Sequence, residues 1–297
     1  MLSFEDCAEE YLENQQAAWK SFKHAKQWRS TLKTYVYPVF GNLPIQQIAT
    51  NHVLEVLQKD KFWVTKSETA SRVRGRIEAI LDSAKVRGLR EGENPARWKG
   101  HLDKLLPPKS KIKPVRHHPA LPYAELPEFI SNLNQRDGFA AKALYFTILT
   151  AARTDEVLGA TWKEIESNVW VVPAHRMKAG IEHRVPLVNE AHSLLNELPK
   201  LSEYLFPGQQ INKPLSNMAM LTLLKRMNCQ DITVHGFRST FRTWVSEQTN
   251  FLREVAESAL AHKNDNKVEA AYQRGDLLAK KAELLEKWAI FCTSASF

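Results

Sequence analysis

KLLPPKSKIKPVRHHPALP, residues Lys104 to Pro122, is the stretch that decides the architecture. It holds five prolines, five lysines or arginines and no acid. Proline fixes φ and withholds a backbone donor, so this composition resists both helix and sheet. It reads as an extended basic linker over residues 106–118, between a unit at 1–105 and a unit at 119–297. Its cations Lys109, Lys111 and Lys113 are spaced to follow a phosphate backbone, or simply to keep a linker solvated. A chain of 297 residues is long enough for two separate cores.

Upstream of the linker every periodicity is helical. Ser3 with Asp6 three residues on has capping-box spacing, so a helix is expected from there. A second is expected from about Lys23 to Tyr35 and a third after Thr50. The fourth is the clearest: Ala70, Val73, Ile77, Ile80, Leu81 and Ala84 form one stripe, and Gly88 ends it. Arg72, Arg74 and Arg76 are expected on its polar side, where phosphates opposite them would relieve the like-charge repulsion at four-residue spacing. This makes a four-helix module without a catalytic constellation.

The charge supports that division. Residues 1–118 hold 21 Lys and Arg against 13 Asp and Glu, a net +8. Residues 119–297 hold 20 of each and sum to zero. A one-sided basic excess is the footprint of a polyanionic partner. The start, MLSFEDCAEEYLEN, is acidic and amphipathic, unlike a secretory leader. The longest apolar stretch, Phe139 to Ala152, is too short to span a bilayer and contains Lys142. Three cysteines without a CxxC pair point to a reducing, cytoplasmic setting and away from a zinc framework.

Downstream the pattern is mixed: mostly α, with one small β-hairpin. Helices are expected from Pro122, through Gly138–Ala152, and over 189–198, 216–227, 235–247, 251–262 and 267–275, with a last one from Asp276. VWVVP and HRVPL, either side of AHRMKAGIE, read as the hairpin.

Four pieces of this half carry polar groups suited to phosphate chemistry. TAARTDEV places Arg153 after a buried helix, with Thr154 as a candidate cap; pairing with Glu156 is the plain alternative. RMKAGIEHR places Lys178 in the hairpin turn, where most lysines are merely solvated. VHGFRSTFRTW sets His235 and Arg238 three apart on one helical face, a spacing that chance also supplies. ALAHKNDNKVEAAYQRG sets His262 and Tyr272 ten apart, where a cap and a core ring are the ordinary readings.

In this order, Arg153, Lys178, His235, Arg238, His262 and Tyr272 resemble the tyrosine recombinases, the phage integrases, and in particular the integrases of satellite prophages and genomic islands. The likeness covers nearly the whole chain. It implies a helical core-binding domain followed by an α+β catalytic domain that acts on double-stranded DNA through a 3′-phosphotyrosine. Tyr272 would be the nucleophile and His235 its proton acceptor. Arg153 and Arg238 would hold the non-bridging oxygens with His262, and Lys178 would protonate the leaving group. No metal or other cofactor is implied, and no clustered carboxylates or Cys/His spacings suggest one. Members of this kind commonly open with a further arm-site-binding domain, which the sequence starting at MLSFEDC does not display. Ala261 stands where the family commonly has glycine. The amphipathic end, DLLAKKAELLEKWAIFCTSASF, either covers its own core or docks on a neighbour within a DNA-bound homotetramer. Two alternatives remain at this point: a catalytically silent DNA-binding relative, and a topoisomerase with the same chemistry.

Overall fold

The computed structural model describes residues 1–16, 19, 22–112, 119–210, 212–262 and 277–294. The chain divides into two compact units, Met1–Arg116 and His117–Phe297.

The first unit is built on helices. Ser3 caps Phe4–Gln16: its N–H and hydroxyl donate to the Asp6 carboxylate (3.0 and 2.7 Å), and the Asp6 N–H returns to Ser3 Oγ (3.1 Å). Helices Phe22–Thr31 and Thr50–Gln58 follow, with a π-helical turn at Leu32–Val36 where the sequence predicts an unbroken helix. Ser67–Val86 buries the six expected apolar residues. Its end is a Schellman turn: Gly88 takes φ +73°, its N–H bonds Lys85 O, and the Leu89 N–H bonds Ala84 O.

Two expectations about this unit need correction. Arg76 is not on the polar side. It is 8% exposed, donates to Gln27 O (2.9 Å) and Thr31 Oγ1, and lies 5.1 Å over the Trp28 ring. Burial, then Arg72 nearby, pull its pKa down. Arg76 lies three residues after Val73 and four before Ile80, so helical spacing itself puts it at the edge of the buried stripe. The linker, in turn, does not begin at 106 and is not wholly extended. Leu106 is buried in the first core, Trp63 Nε1 donates to Pro107 O (2.9 Å), and Lys109–Ile112 forms a helical turn. Prolines immediately before a helix cost it no hydrogen bond, because the first N–H groups are unpaired anyway.

The second unit wraps around Phe139–Thr150, a helix buried on nearly all sides, as its mostly apolar composition requires, with Lys142 reaching out to Glu197. A three-stranded antiparallel sheet lies on it: β1 (Ile165–Glu166), β2 (Val169–Val172) and β3 (His183–Pro186), in that order. Trp170 pairs with Val185, and its ring packs 5.3 Å from that of Phe146. β1 escapes sequence reading because two residues show no alternation. Helices Leu126–Asn134, Asn189–Glu197, Ala219–Arg226, Gly236–Gln248, Arg253–Ala259 and Leu278–Thr293 complete the unit. The helix expected at 267–275 lies outside the described residues.

Leu278–Thr293 covers its own core, the first of the two readings of this end. Leu284, Leu285, Trp288, Ala289 and Cys292 are all buried in their own unit, and Trp288 Nε1 donates to Ile148 O (2.8 Å). Each large apolar side chain so buried is worth about 1.5–3 kcal/mol. Among the described residues no helix is long and apolar enough to cross a membrane.

Candidate active site

The site begins where the central helix stops. Ala151 caps Phe139–Thr150 in the left-handed region (φ +50°), turning the chain so that Arg153, not Thr154, becomes the N-cap of Thr154–Leu158. Glu156 then accepts from the Arg153 N–H (2.9 Å) and from its guanidinium Nη1 (2.8 Å). The ion pair exists, and it leaves the other fork of the guanidinium to reach Ala261 O (3.2 Å).

Arg238 approaches the same place from Gly236–Gln248. The start of that helix is set by Gly236: a Cβ there would meet Pro119 O at 2.3 Å, so no larger residue fits. Arg238 is 5% exposed and donates to Ala151 O (2.5 Å), Leu260 O (2.6 Å) and His262 Nε2 (3.0 Å). Burial, and then Arg153 nearby, push its pKa down to about 10, against the pull of Glu156 and Glu257. A cation at this depth tolerates burial because its donors meet backbone carbonyls.

Leu260 and Ala261 therefore offer successive carbonyls to two guanidiniums. Ala261 sits at φ +48°, a conformation natural to glycine and strained for alanine. His262 follows with its ring held on both sides. Nδ1 lies 2.5 Å from Glu257 Oε2 and Nε2 faces Arg238, which makes Nδ1 the protonated nitrogen. Burial alone would raise the Glu257 carboxyl, but its bonds to His262 and Arg242 hold it below the ordinary range.

Lys178 is exposed in the turn between β2 and β3. With Arg153, Ala179, Arg253, Glu257, Ala261 and His262 it lines a cleft of about 510 Å³. Arg238 lies beneath this cleft, joined to it through His262. His235 is exposed one residue before its helix, with its carbonyl accepting the Arg238 N–H (3.2 Å); it is not among the residues lining the cleft. Tyr272 lies outside the described residues. Sequence reading missed Glu257: five residues before His262, it has no regular helical relation to a histidine beyond the helix end.

The other basic residues singled out from the sequence belong to the first unit. Arg72 and Lys109 are exposed and share Glu68 (3.2 and 2.5 Å). Lys111 is exposed. Arg74 is turned inward to Glu78 and Ala96 O (2.5 and 2.8 Å). Lys113 lies outside the described residues.

Comparison with known proteins agrees with a mostly helical fold that carries a small sheet. Residues 4–101 match the phage integrase central domain, and residues 120–276 match the phage integrase family. The prophage integrase IntZ of Escherichia coli K12 is 32% identical, over 96% of this chain and 70% of its own length. The integrase of Enterobacteria phage P4 is 30% identical, over 87% of this chain and 62% of its own. The chain thus spans between about three-fifths and seven-tenths of these relatives. A lambda integrase dimer bound to a core site has the same fold, with TM-score 0.69 and 15% identity over 89% of this chain and 97% of that one. A Tn1549 transposon integrase bound to its circular-intermediate DNA gives TM-score 0.63 at 16% identity, over 92% of this chain and all of that one. The chain belongs to the phage integrase family of tyrosine recombinases.

Proposed function

We propose that this chain is a site-specific DNA recombinase that cuts and rejoins strands through a covalent 3′-phosphotyrosine, moving a mobile element into or out of a chromosome. One observation carries the reading: Arg153 and Arg238 converge on the Leu260–Ala261 turn beside His262, ten residues before Tyr272.

Tyr272 Oη attacks the scissile phosphorus. The Oη–P bond forms as the P–O5′ bond breaks. A phenol of pKa ~10 must shed its proton as it attacks, and His235 is the acceptor. Negative charge grows on the non-bridging oxygens. Two guanidiniums with fixed forks suit it, because their donors are oriented before the charge develops. His262 adds a hydrogen bond through Nε2 once that nitrogen carries a proton, with Glu257 steadying the ring from behind. Lys178, on its exposed turn, gives the leaving 5′-oxygen its proton. The ester energy stays in the phosphotyrosine, so religation reverses the path without ATP.

The first unit serves as the core-site clamp. Arg72, Lys109 and Lys111 are its candidate phosphate contacts among the described residues, with Lys113 beyond them. Arg76 is withdrawn from that set by its burial, and Arg74 is engaged inside its own unit. Strand exchange needs several protomers, and a lambda integrase of like fold has been solved as a tetramer on a Holliday junction (TM-score 0.69, 15% identity).

A suicide substrate tests the chemistry. Sequencing the DNA that the purified protein holds covalently gives the core site. A duplex of that sequence, nicked beside the crossover, then traps the intermediate. The Tyr272→Phe variant binds it and traps nothing; trapping at wild-type level refutes the assignment.

A further inference from the structure

Beneath the cleft lies a buried ion pair that the chemistry above does not use. Arg176 ends the short helical turn Ala174–Arg176, two residues before Lys178. Its Nη1 donates to both carboxylate oxygens of Glu164, at 2.5 Å to Oε1. Its Nη2 donates to the backbone carbonyl of Glu156. Glu164 is held in turn by Trp170 Nε1 (2.9 Å), from β2 in the core. The Arg176 and Glu164 side chains are 16% and 10% exposed. A Cβ on Gly159 would stand 2.8 Å from Arg176 Nη2, so the glycine leaves room for the guanidinium.

The placement matters more than the pairing. Glu156 binds Arg153 through its side chain and Arg176 through its main chain. Between Arg176 and Lys178 stands only Met177, itself buried. A continuous set of contacts therefore runs from Arg153, which lines the cleft, to the base of the turn that carries Lys178. The turn is exposed and closes on the Gly180 N–H to Met177 O bond (3.0 Å), with Gly180 at φ +71°. Nothing on its outer side is needed to aim it if its base is fixed.

We propose that Arg176, held by Glu164, is a positioning residue that sets the Lys178 turn in register with Arg153. This rests on the reading of Lys178 as the proton donor to the leaving oxygen. A lysine on a loose turn spends less time within reach of that oxygen, and a displacement of about 1 Å can cost on the order of a hundredfold in rate.

The test uses the full chain and duplexes of the recovered core site, with either oxygen or sulfur at the bridging 5′ position. A thiolate leaves without being protonated, so the sulfur ester needs no acid. Lys178→Ala is expected to cleave the oxygen ester slowly and the sulfur ester near the wild-type rate. Arg176→Met and Glu164→Gln are expected to lose roughly 10- to 100-fold on the oxygen ester and to come within about threefold of wild type on sulfur, with DNA affinity unchanged. Glu164→Gln and Arg176→Lys carry the test if Arg176→Met does not fold; melting temperatures report this. Equal losses on both esters, or no loss on oxygen, while sulfur rescues Lys178→Ala, overturn the positioning role alone. Failure of sulfur to rescue Lys178→Ala removes the acid assignment, and the positioning role with it.

Discussion

The two halves differ in where their net positive charge lies, although each also buries cations, Arg76 in the first. Residues 1–118 carry the whole net excess of +8, with Arg72, Lys109 and Lys111 standing in solvent. Residues 119–297 sum to zero, yet hold Arg238 and Lys281 almost fully buried, the latter donating to Arg184 O (2.6 Å). Exposed charges act at a distance and are screened by salt. Buried cations cradled by carbonyls are costly to install and act only at contact, where their direction is fixed before the substrate arrives. Under the proposed function, net charge thus points to the half that would attract DNA and misses the half that would do chemistry on it.

The comparison breaks most readily at Arg238. Arg238→Ala is expected to lower the cleavage rate by about 10²–10³-fold. It also strands the Ala151 and Leu260 carbonyls, for about 1–3 kcal/mol of stability each. Trapping kinetics and urea denaturation read the two effects. A variant that kept its cleavage rate would place this cation outside the chemistry.

A pH series probes the same half. Burial, then Lys281, hold His183 down to about 4, so it is folded in its neutral form. A depressed base stabilises the fold fully above its unfolded pKa of 6.5, and loses that contribution as pH falls towards 4. Between pH 7.5 and 5 the full shift would give about 2 kcal/mol; partial exposure brings the expected loss in the wild type down to about 1 kcal/mol, and His183→Asn should lose much less. Glu257 works in the same direction at lower pH: its carboxyl is held below 4.5, so release of His262 and Arg242 waits for stronger acid. Equal slopes in wild type and His183→Asn would show that the histidine is not the sensor.

Ala261→Gly removes a left-handed alanine and should raise stability by about 1 kcal/mol. A lower melting temperature would mean that loss of the methyl, or the freer unfolded chain, outweighs the relieved strain.

The exposed charges yield smaller effects. Arg72→Gln and Lys111→Gln should each flatten the slope of log affinity against log salt by about 0.9. Arg76→Met should leave that slope alone and lower the melting temperature. Reversed behaviour would exchange the roles of surface and core in the first unit.

Much of this was legible before any coordinates. The Ser67–Val86 stripe, its Gly88 stop and the Ser3 cap follow from spacing and from the side chains' own chemistry. The six-residue order followed from a resemblance, not from periodicity. The rest depends on tertiary geometry. Arg76 sat at a stripe edge, where three- and four-residue spacing allows either burial or exposure. Leu106 joined the first core because Trp63 closes over the Pro107 carbonyl. Glu257, Arg176 and Glu164 belong to separate elements that meet only when packed, and no interval in the chain announces them.

The central claim is tested most directly by digesting the trapped protein–DNA complex with nuclease and protease and locating the residual nucleotide by mass spectrometry. The account predicts a 3′-phosphonucleotide on the peptide that contains Tyr272, and none in the Tyr272→Phe variant. An adduct on another residue, or a cut duplex with no adduct anywhere, would contradict it.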